Sequence, residues 1–341
     1  MPKIVNIEEF LDLSKTTSII DVRTPAEFEK GHIPGAINIP LFTNEERVIV
    51  GTLYKKTGRQ PAIMKGLELV GPKLKWLVEE VEKVITNNTV LVHCWRGGMR
   101  SGSVAWLLET YGINVFTLKG GYKFFRRKII STFEKEYKLI TIGGRTGSSK
   151  SKVIETLKSK GIQLIDLESL ANHKGSSYGH LGEECQPSQE MFENLLGIEL
   201  MNCDESKNII LEDESRMVGS KAIPNLFYLQ IRNSPLLYLD VEFEKRVKYL
   251  SVEYGKFDHD DLVEATMRIE KRLGSLQTKN ACIAIRENKM EDACRIILGY
   301  YDKAYDYGLS QRDQSKITRV EIENYDDITL NKIENLLINT L

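Results

Sequence analysis

An apolar run of strand type, Thr89-Val90-Leu91-Val92, leads without a break into His93-Cys94-Trp95-Arg96-Gly97-Gly98-Met99-Arg100-Ser101. Ser103-Val104-Ala105-Trp106-Leu107-Leu108 then continues as an amphipathic helix. A strand that passes through a two-glycine loop into a helix confines this half of the chain to an α/β arrangement. It also sets Cys94 at a helix N-terminus, where backbone N–H groups favour negative charge, lower a thiol pKa and bind oxyanions. Arg96 and Arg100 bring cationic charge to the same turn, so Arg96, Gly97, Gly98 and Arg100 read as an anion cradle around a nucleophilic thiol.

A chain of 341 residues suggests two domains, because single cores stop growing below that length. Its composition, 41% hydrophobic and 28% charged, is that of a soluble globular protein. There is no apolar run long enough to span a membrane, and Met1-Pro2-Lys3-Ile4 leads into structure rather than a signal peptide, so a cytoplasmic protein with no membrane partner is expected. The cysteines, Cys94, Cys185, Cys203, Cys282 and Cys294, are scattered without CxxC spacing, which argues against a disulfide framework and against a structural metal. A formal net charge of −1 gives no overall pull on nucleic acid. Locally, Lys119, Lys123, Arg126, Arg127 and Lys128 gather with Tyr122, Phe124 and Phe125, a mixture that suits a phosphate backbone and stacked bases and equally suits a solvated helix face.

Upstream, Ile19-Ile20-Asp21-Val22-Arg23 reads as a strand, and Thr24-Pro25-Ala26-Glu27-Phe28 opens a helix with Thr24 as N-cap and proline at its first position. DVRTPAEFEKGHIPGAINIP, VLVHCWRGGMRS and VFTLKGGY, in that order, resemble the signature segments of a rhodanese domain, with the likeness running from about Ile4 to Phe125. The resemblance implies a parallel sheet and a loop cysteine that handles sulfur or selenium, in keeping with a stabilised thiolate. Five residues separate Cys94 from Arg100, one more than in the commonest sulfurtransferase loop and the spacing of a group of dual-specificity phosphatases. A wider loop suits a tetrahedral, phosphate-sized group, so a phosphorylated chalcogen donor fits and phosphatase chemistry is the rival. Asp21 and Arg23 are expected to pair beneath the loop, with His93 and Trp95 packing around it.

The expected domains are a rhodanese-like domain over 1–125, a basic helical linker over 126–136 and a P-loop domain over 137–341. The last assignment rests on the strand Lys138-Leu139-Ile140-Thr141-Ile142, followed by Gly143-Gly144-Arg145-Thr146-Gly147-Ser148-Ser149-Lys150-Ser151 and a helical run from Lys152 to Lys160. In such a loop, Gly144, Arg145, Thr146, Gly147, Ser148 and Ser149 offer backbone amides to phosphates, Lys150 reaches across them and Ser151 is placed to ligate Mg²⁺. Ser149 stands where the pattern has glycine, so the backbone there must avoid positive φ or accept strain. Short apolar strands ending in acids follow, at Gln163-Leu164-Ile165-Asp166, Asn208 to Asp213 and Pro235 to Asp240. Asp166, Glu212, Asp213 and Arg216 are candidates to support Mg²⁺ or a diphosphate. Arg246 offers either a phosphoryl contact or a surface ion pair. The expected fold is α/β, a rhodanese-like parallel-sheet domain followed by a P-loop NTPase-like three-layer α/β/α domain.

HCWRGGMRSG, GGRTGSSKS, DLESLANHKGSSYG and LEDESR together resemble one family along nearly the whole chain, the bacterial tRNA 2-selenouridine synthases. The resemblance implies a two-stage reaction on wobble 2-thiouridine: geranylation of sulfur by geranyl diphosphate, then displacement by selenium from selenophosphate. Cys94 matches the family's essential cysteine, Arg96 and Arg100 would hold the phosphate end of the donor, and Gly144 to Ser151 would hold the diphosphate. No tightly bound cofactor is implied beyond these co-substrates, with Mg²⁺ left as an option. The partners implied are tRNA bearing 2-thiouridine and an enzyme supplying selenophosphate. Lys123, Arg126, Arg127, Lys128, His173 and Lys174 become candidate tRNA contacts. A sulfur carrier with a regulatory nucleotide-binding P-loop domain is the alternative.

Overall fold

The computed structural model describes residues 2–324 and 327–339; Tyr325, Asp326 and the last two residues of the expected P-loop domain lie outside them. The chain forms two compact units, one of residues 1–132 with 188–195, the other of residues 133–187 with 196–341. Both are α/β. The helix Gly121–Thr132 carries the segment expected to begin a linker, and Phe125, Ile129 and Thr132 on it are buried in the first unit.

Among the described residues the first unit holds a parallel five-stranded sheet, β1 (Lys3–Val5), β2 (Ile19–Asp21), β3 (Ala36–Asn38), β4 (Thr89–His93) and β5 (Asn114–Leu118), in the order β1-β5-β4-β2-β3. Strands covered on both faces read as near-continuous apolar runs. Val90 and Val92 of the central β4 pack with Val104, Ala105 and Leu108 of the helix Met99–Tyr111 and with Leu77, Val78 and Val81. Leu91 and Ile19 point the opposite way and are equally buried. The thiol loop therefore leaves the buried C-terminal end of the central strand, the end at which open α/β sheets bind ligands.

The second unit has its own parallel sheet, with β6 (Leu139–Gly143), β7 (Leu164–Ile165), β8 (Ile209–Glu212), β11 (Leu236–Asp240) and β12 (Ile317–Glu321) in the order β12-β11-β6-β8-β7; β9 (Met217–Val218) and β10 (Lys221–Ala222) form a separate antiparallel pair. Alternation along β11 divides the core. Leu237 and Leu239 join Ile140, Ile142, Val153, Leu157, Ile333 and Leu337 on one face, while Leu236 and Tyr238 meet Leu309 and Tyr305 on the other. Helices thus cover both faces of the sheet, and the Gly-rich loop follows the central strand β6.

Candidate active site

Thr24, Pro25 and Glu27 do more than start a helix. Thr24 and Glu27 form a reciprocal capping box, and the Glu27 carboxylate also receives Arg100 in a two-pronged ion pair, with Nη1 at 2.6 Å and Nη2 at 3.2 Å. Burial alone would raise the Glu27 carboxyl, but the Arg100 guanidinium holds it below its ordinary range. The arginine that closes the thiol loop is thereby held in a fixed position.

Cys94 is buried, and its Sγ lies 3.2 Å from the Ser101 hydroxyl. Burial pushes a thiol up, yet the hydrogen bonds from the Ser101 hydroxyl and from the N–H groups of Ser101, Arg96 and Gly98 outweigh it and hold Cys94 below the usual thiol value. Burial drives the remaining shifted cysteines the opposite way: Cys203 rises to about 11, Cys294 to about 12, and Cys282 is also raised. Activation is local to the loop.

The loop is braced from below by the second glycine motif. Tyr122 and Lys123 donate their backbone N–H groups to the carbonyls of Cys94 and Trp95, both at 2.9 Å. Gly121 sits at φ +58°, and a Cβ there would lie 2.3 Å from the Cys94 carbonyl oxygen, so only glycine permits this approach. Asp21 and Arg23 form the expected buried pair at 2.6 Å, and the Arg23 guanidinium lies 3.8 Å from the Tyr122 ring centre. Among the described residues neither ring nitrogen of the fully buried His93 has a hydrogen-bond partner; burial lowers its pKa despite nearby Asp21, so the ring is neutral packing. Trp95 and Met99 line a cavity of about 770 Å³ that opens on Cys94, Arg96, Gly98 and Arg100.

In the second unit the loop Gly144 to Ser151 leads from β6 into the helix Lys150–Ser159. Ser149 adopts φ +50°, ψ +37°, so the chain accepts the left-handed conformation that the missing glycine would have made easy. Gly144 donates its N–H to the Tyr305 hydroxyl at 2.7 Å, Arg145 is paired with Asp306, and Arg246 donates to the Thr146 carbonyl while pairing with Asp302 at 2.7 Å. Arg246 is buried, so neither a surface pair nor an open phosphate contact describes it; it buttresses the loop. Lys150 Nζ lies 3.1 Å from the Gly144 carbonyl.

The acidic candidates separate. Asp213 is tied to Arg232 and Arg312, a structural cluster. Asp166 caps the helix Leu167–Ala171, and buried Glu212 accepts the Leu167 N–H at 2.8 Å. Arg216 is exposed. The carboxylates that do face Lys150 are Glu168 and Glu214, which lie away from the strand ends where the sequence places the candidate acids. They are hydrogen-bonded to each other, and Ser151 donates to Glu168 at 3.3 Å. Burial and the Glu168 charge push Glu214 up to about 8, so this pair holds a proton at neutral pH. Gly175 lies over it; a Cβ would come within 2.9 Å of Glu214 and 3.0 Å of Glu168. Among the described residues no group of three or more His, Cys, Asp or Glu side chains is arranged to hold a metal ion.

The basic segment is partly spoken for. Arg126 pairs with Glu193 and donates to Asn194, Lys128 pairs with Glu8, His173 is buried and Lys174 pairs with Glu183, whereas Lys123 and Arg127 are exposed.

Residues 6–128 match the model of the rhodanese-like domain, and residues 137–335 match that of the tRNA 2-selenouridine synthase AAA domain. The chain is 35% identical over 337 residues to the tRNA 2-selenouridine synthase of Sulfurovum sp. strain NBC37-1, covering 88% of this chain and 91% of that one. It is 34% identical over 350 residues to the protein of the same name from Shewanella denitrificans strain OS217, covering 92% and 94%. A solved N-terminal domain from Clostridium difficile 630 is 43% identical, covers 38% of this chain and 99% of its own, and has a TM-score of 0.36.

Proposed function

Because the chain belongs to the tRNA 2-selenouridine synthase family, we propose that it is a cytoplasmic transferase that converts wobble 2-thiouridine in tRNA to 2-selenouridine through an S-geranyl intermediate. The observation that carries this reading is Cys94, a buried thiol held towards the thiolate by loop amides and Ser101, in a loop sized for a phosphate-bearing donor.

In the first stage geranyl diphosphate places its diphosphate on the loop amides that follow Gly144, up to Ser151, with Lys150 across it; Ser151 and Glu168 would hold a Mg²⁺ ion, which would neutralise the leaving diphosphate. The thiocarbonyl sulfur takes the allylic carbon as the C–O bond breaks. In the second stage the Cys94 thiolate attacks the phosphorus of selenophosphate held by Arg96, the loop amides and Arg100; the S–P bond forms as the P–Se bond breaks, the released selenide attacks C2, and water afterwards cleaves the S–P bond. The C2–Se bond forms as the C2–S bond breaks, and the sulfur leaves with its electron pair and a proton as geranyl thiol. One water is consumed and orthophosphate is the other product, so no oxidant is needed. Geranylation makes the sulfur a competent leaving group. Lys123 and Arg127 are the exposed cations offered to tRNA, and an enzyme making selenophosphate must supply the donor.

Binding of geranyl diphosphate to the full chain, measured by calorimetry against Mg-ATP, tests the first stage. Geranyl diphosphate is expected to bind and to be weakened at least tenfold by Lys150→Met. Tight Mg-ATP binding with no response to geranyl diphosphate would instead describe a sulfur carrier with a nucleotide sensor.

A further inference from the structure

A cradle for a phosphate-sized donor needs only the thiol loop, yet the open cavity above Cys94 measures about 770 Å³, within the range of sites that hold a whole small molecule. One wall is the helix Asn44–Thr57, which buries no residue at all. Arg47, Val48, Gly51, Tyr54 and Lys55 line the cavity at the spacing that keeps them on one helical face. Val48 is 67% exposed and Tyr54 60%, and Met99, at the start of the helix Met99–Tyr111, also lines the cavity and is 58% exposed. Apolar side chains left open around a void, with cations among them, describe a site for an apolar tail on an anionic molecule. From Val48 to Tyr54 the helix rises about 9 Å at 1.5 Å per residue, the reach of an extended geranyl chain. Gly51 keeps that wall low, since a Cβ there would meet only the far end of the Arg47 side chain, at 2.6 Å.

We propose that this cavity is the subsite that seats the terpenyl chain carried by the tRNA sulfur, with Val48, Tyr54 and Met99 against the chain and Lys55 towards the flanking RNA phosphates. The proposal rests on the S-geranyl reading above. It adds a specificity device: the tail is anchored beside Cys94, so C2 of the modified base is brought to the selenium and unprenylated tRNA is passed over.

The test measures binding of the full chain to an anticodon stem-loop RNA carrying S-geranyl-2-thiouridine and to its S-methyl counterpart, by fluorescence anisotropy. The wild type is expected to bind the geranyl RNA at least tenfold more tightly. Gly51→Leu, which fills the cavity without touching the thiol loop, and the uncharged Val48→Asn should each erase that preference while leaving S-methyl binding unchanged and the melting temperature near that of the wild type. Equal binding of the two RNAs by the wild type overturns the proposal. So does a preference that survives Gly51→Leu in a folded protein. Because binding is read apart from turnover, a failure to form 2-selenouridine sinks the functional reading without deciding the occupant of the cavity, which the anisotropy alone decides.

Discussion

Ser101→Ala isolates one of the four hydrogen bonds that hold Cys94 towards the thiolate. The Ser101 hydroxyl lies 3.2 Å from Sγ and also 3.2 Å from the Gly98 carbonyl oxygen, and its single proton cannot serve both. In the thiolate form it must turn to sulfur, giving up Gly98. A hydrogen bond to a charged group contributes about 1.5–3 kcal/mol, and this exchange places the net value near the lower end, about 2 kcal/mol. Since about 1.4 kcal/mol is a factor of ten, the thiolate fraction at a pH below the Cys94 midpoint should fall roughly ten- to thirtyfold. The sign is fixed: losing a donor to the charged form raises the thiol pKa. In a Cys185→Ser background, which removes the exposed thiol, the rate of iodoacetamide alkylation against pH should shift to higher pH in Ser101→Ala and keep its alkaline plateau. Ser101→Thr restores the hydroxyl and should restore the profile. An unchanged profile in Ser101→Ala, or an equal shift in Ser101→Thr, would refute the claim that this hydroxyl activates the thiol.

Other perturbations address the framework and the second site. Gly121→Ala places a Cβ against the Cys94 carbonyl at φ +58° and should destabilise the first unit by at least about 2 kcal/mol; a denaturant midpoint unchanged from wild type would contradict the bracing role. Glu214, pushed up to about 8 by burial and by Glu168, keeps its proton in the folded chain after an unfolded glutamate has lost it. Its stabilising contribution is therefore full below about pH 4.5 and lost as pH rises through about 8. Glu214→Gln should gain on wild type in melting temperature across that window and level off above it, whereas a pH-independent gap would show that the carboxyl is ionised throughout. Lys150→Met should leave the Cys94 alkylation profile untouched while abolishing retention on a diphosphate resin; a changed thiol profile would mean that the substitution disturbs the fold.

Both loops were legible in the sequence because their chemistry is local. A strand, two glycines, two arginines and a cysteine within a few residues already imply an anion cradle, and strand, glycine loop, Lys-Ser and helix imply another. What escaped depends on contacts between distant segments. Glu27 reaches Arg100 across 73 residues, Tyr305 meets Gly144 across 161, and neither spacing leaves a periodic trace. The acids that face Lys150 were missed because strand ends were favoured: Asp213 is drawn away by Arg232 and Arg312, while Glu168 and Glu214 come from a short helix and a loop. Arg126 looked free in the basic run, but Ser188–Leu195 returns to the first unit and supplies Glu193 and Asn194. The cavity wall was invisible for a related reason: a helix with no buried residue carries no amphipathic signal of what it lines.

Under the proposed function, Cys94 directs selenium into a geranylated tRNA base. Purified full-length protein given S-geranyl-2-thiouridine tRNA and selenophosphate should yield 2-selenouridine and geranyl thiol by nucleoside mass spectrometry, and folded Cys94→Ala should yield neither. Selenation by Cys94→Ala at the wild-type rate would contradict the account.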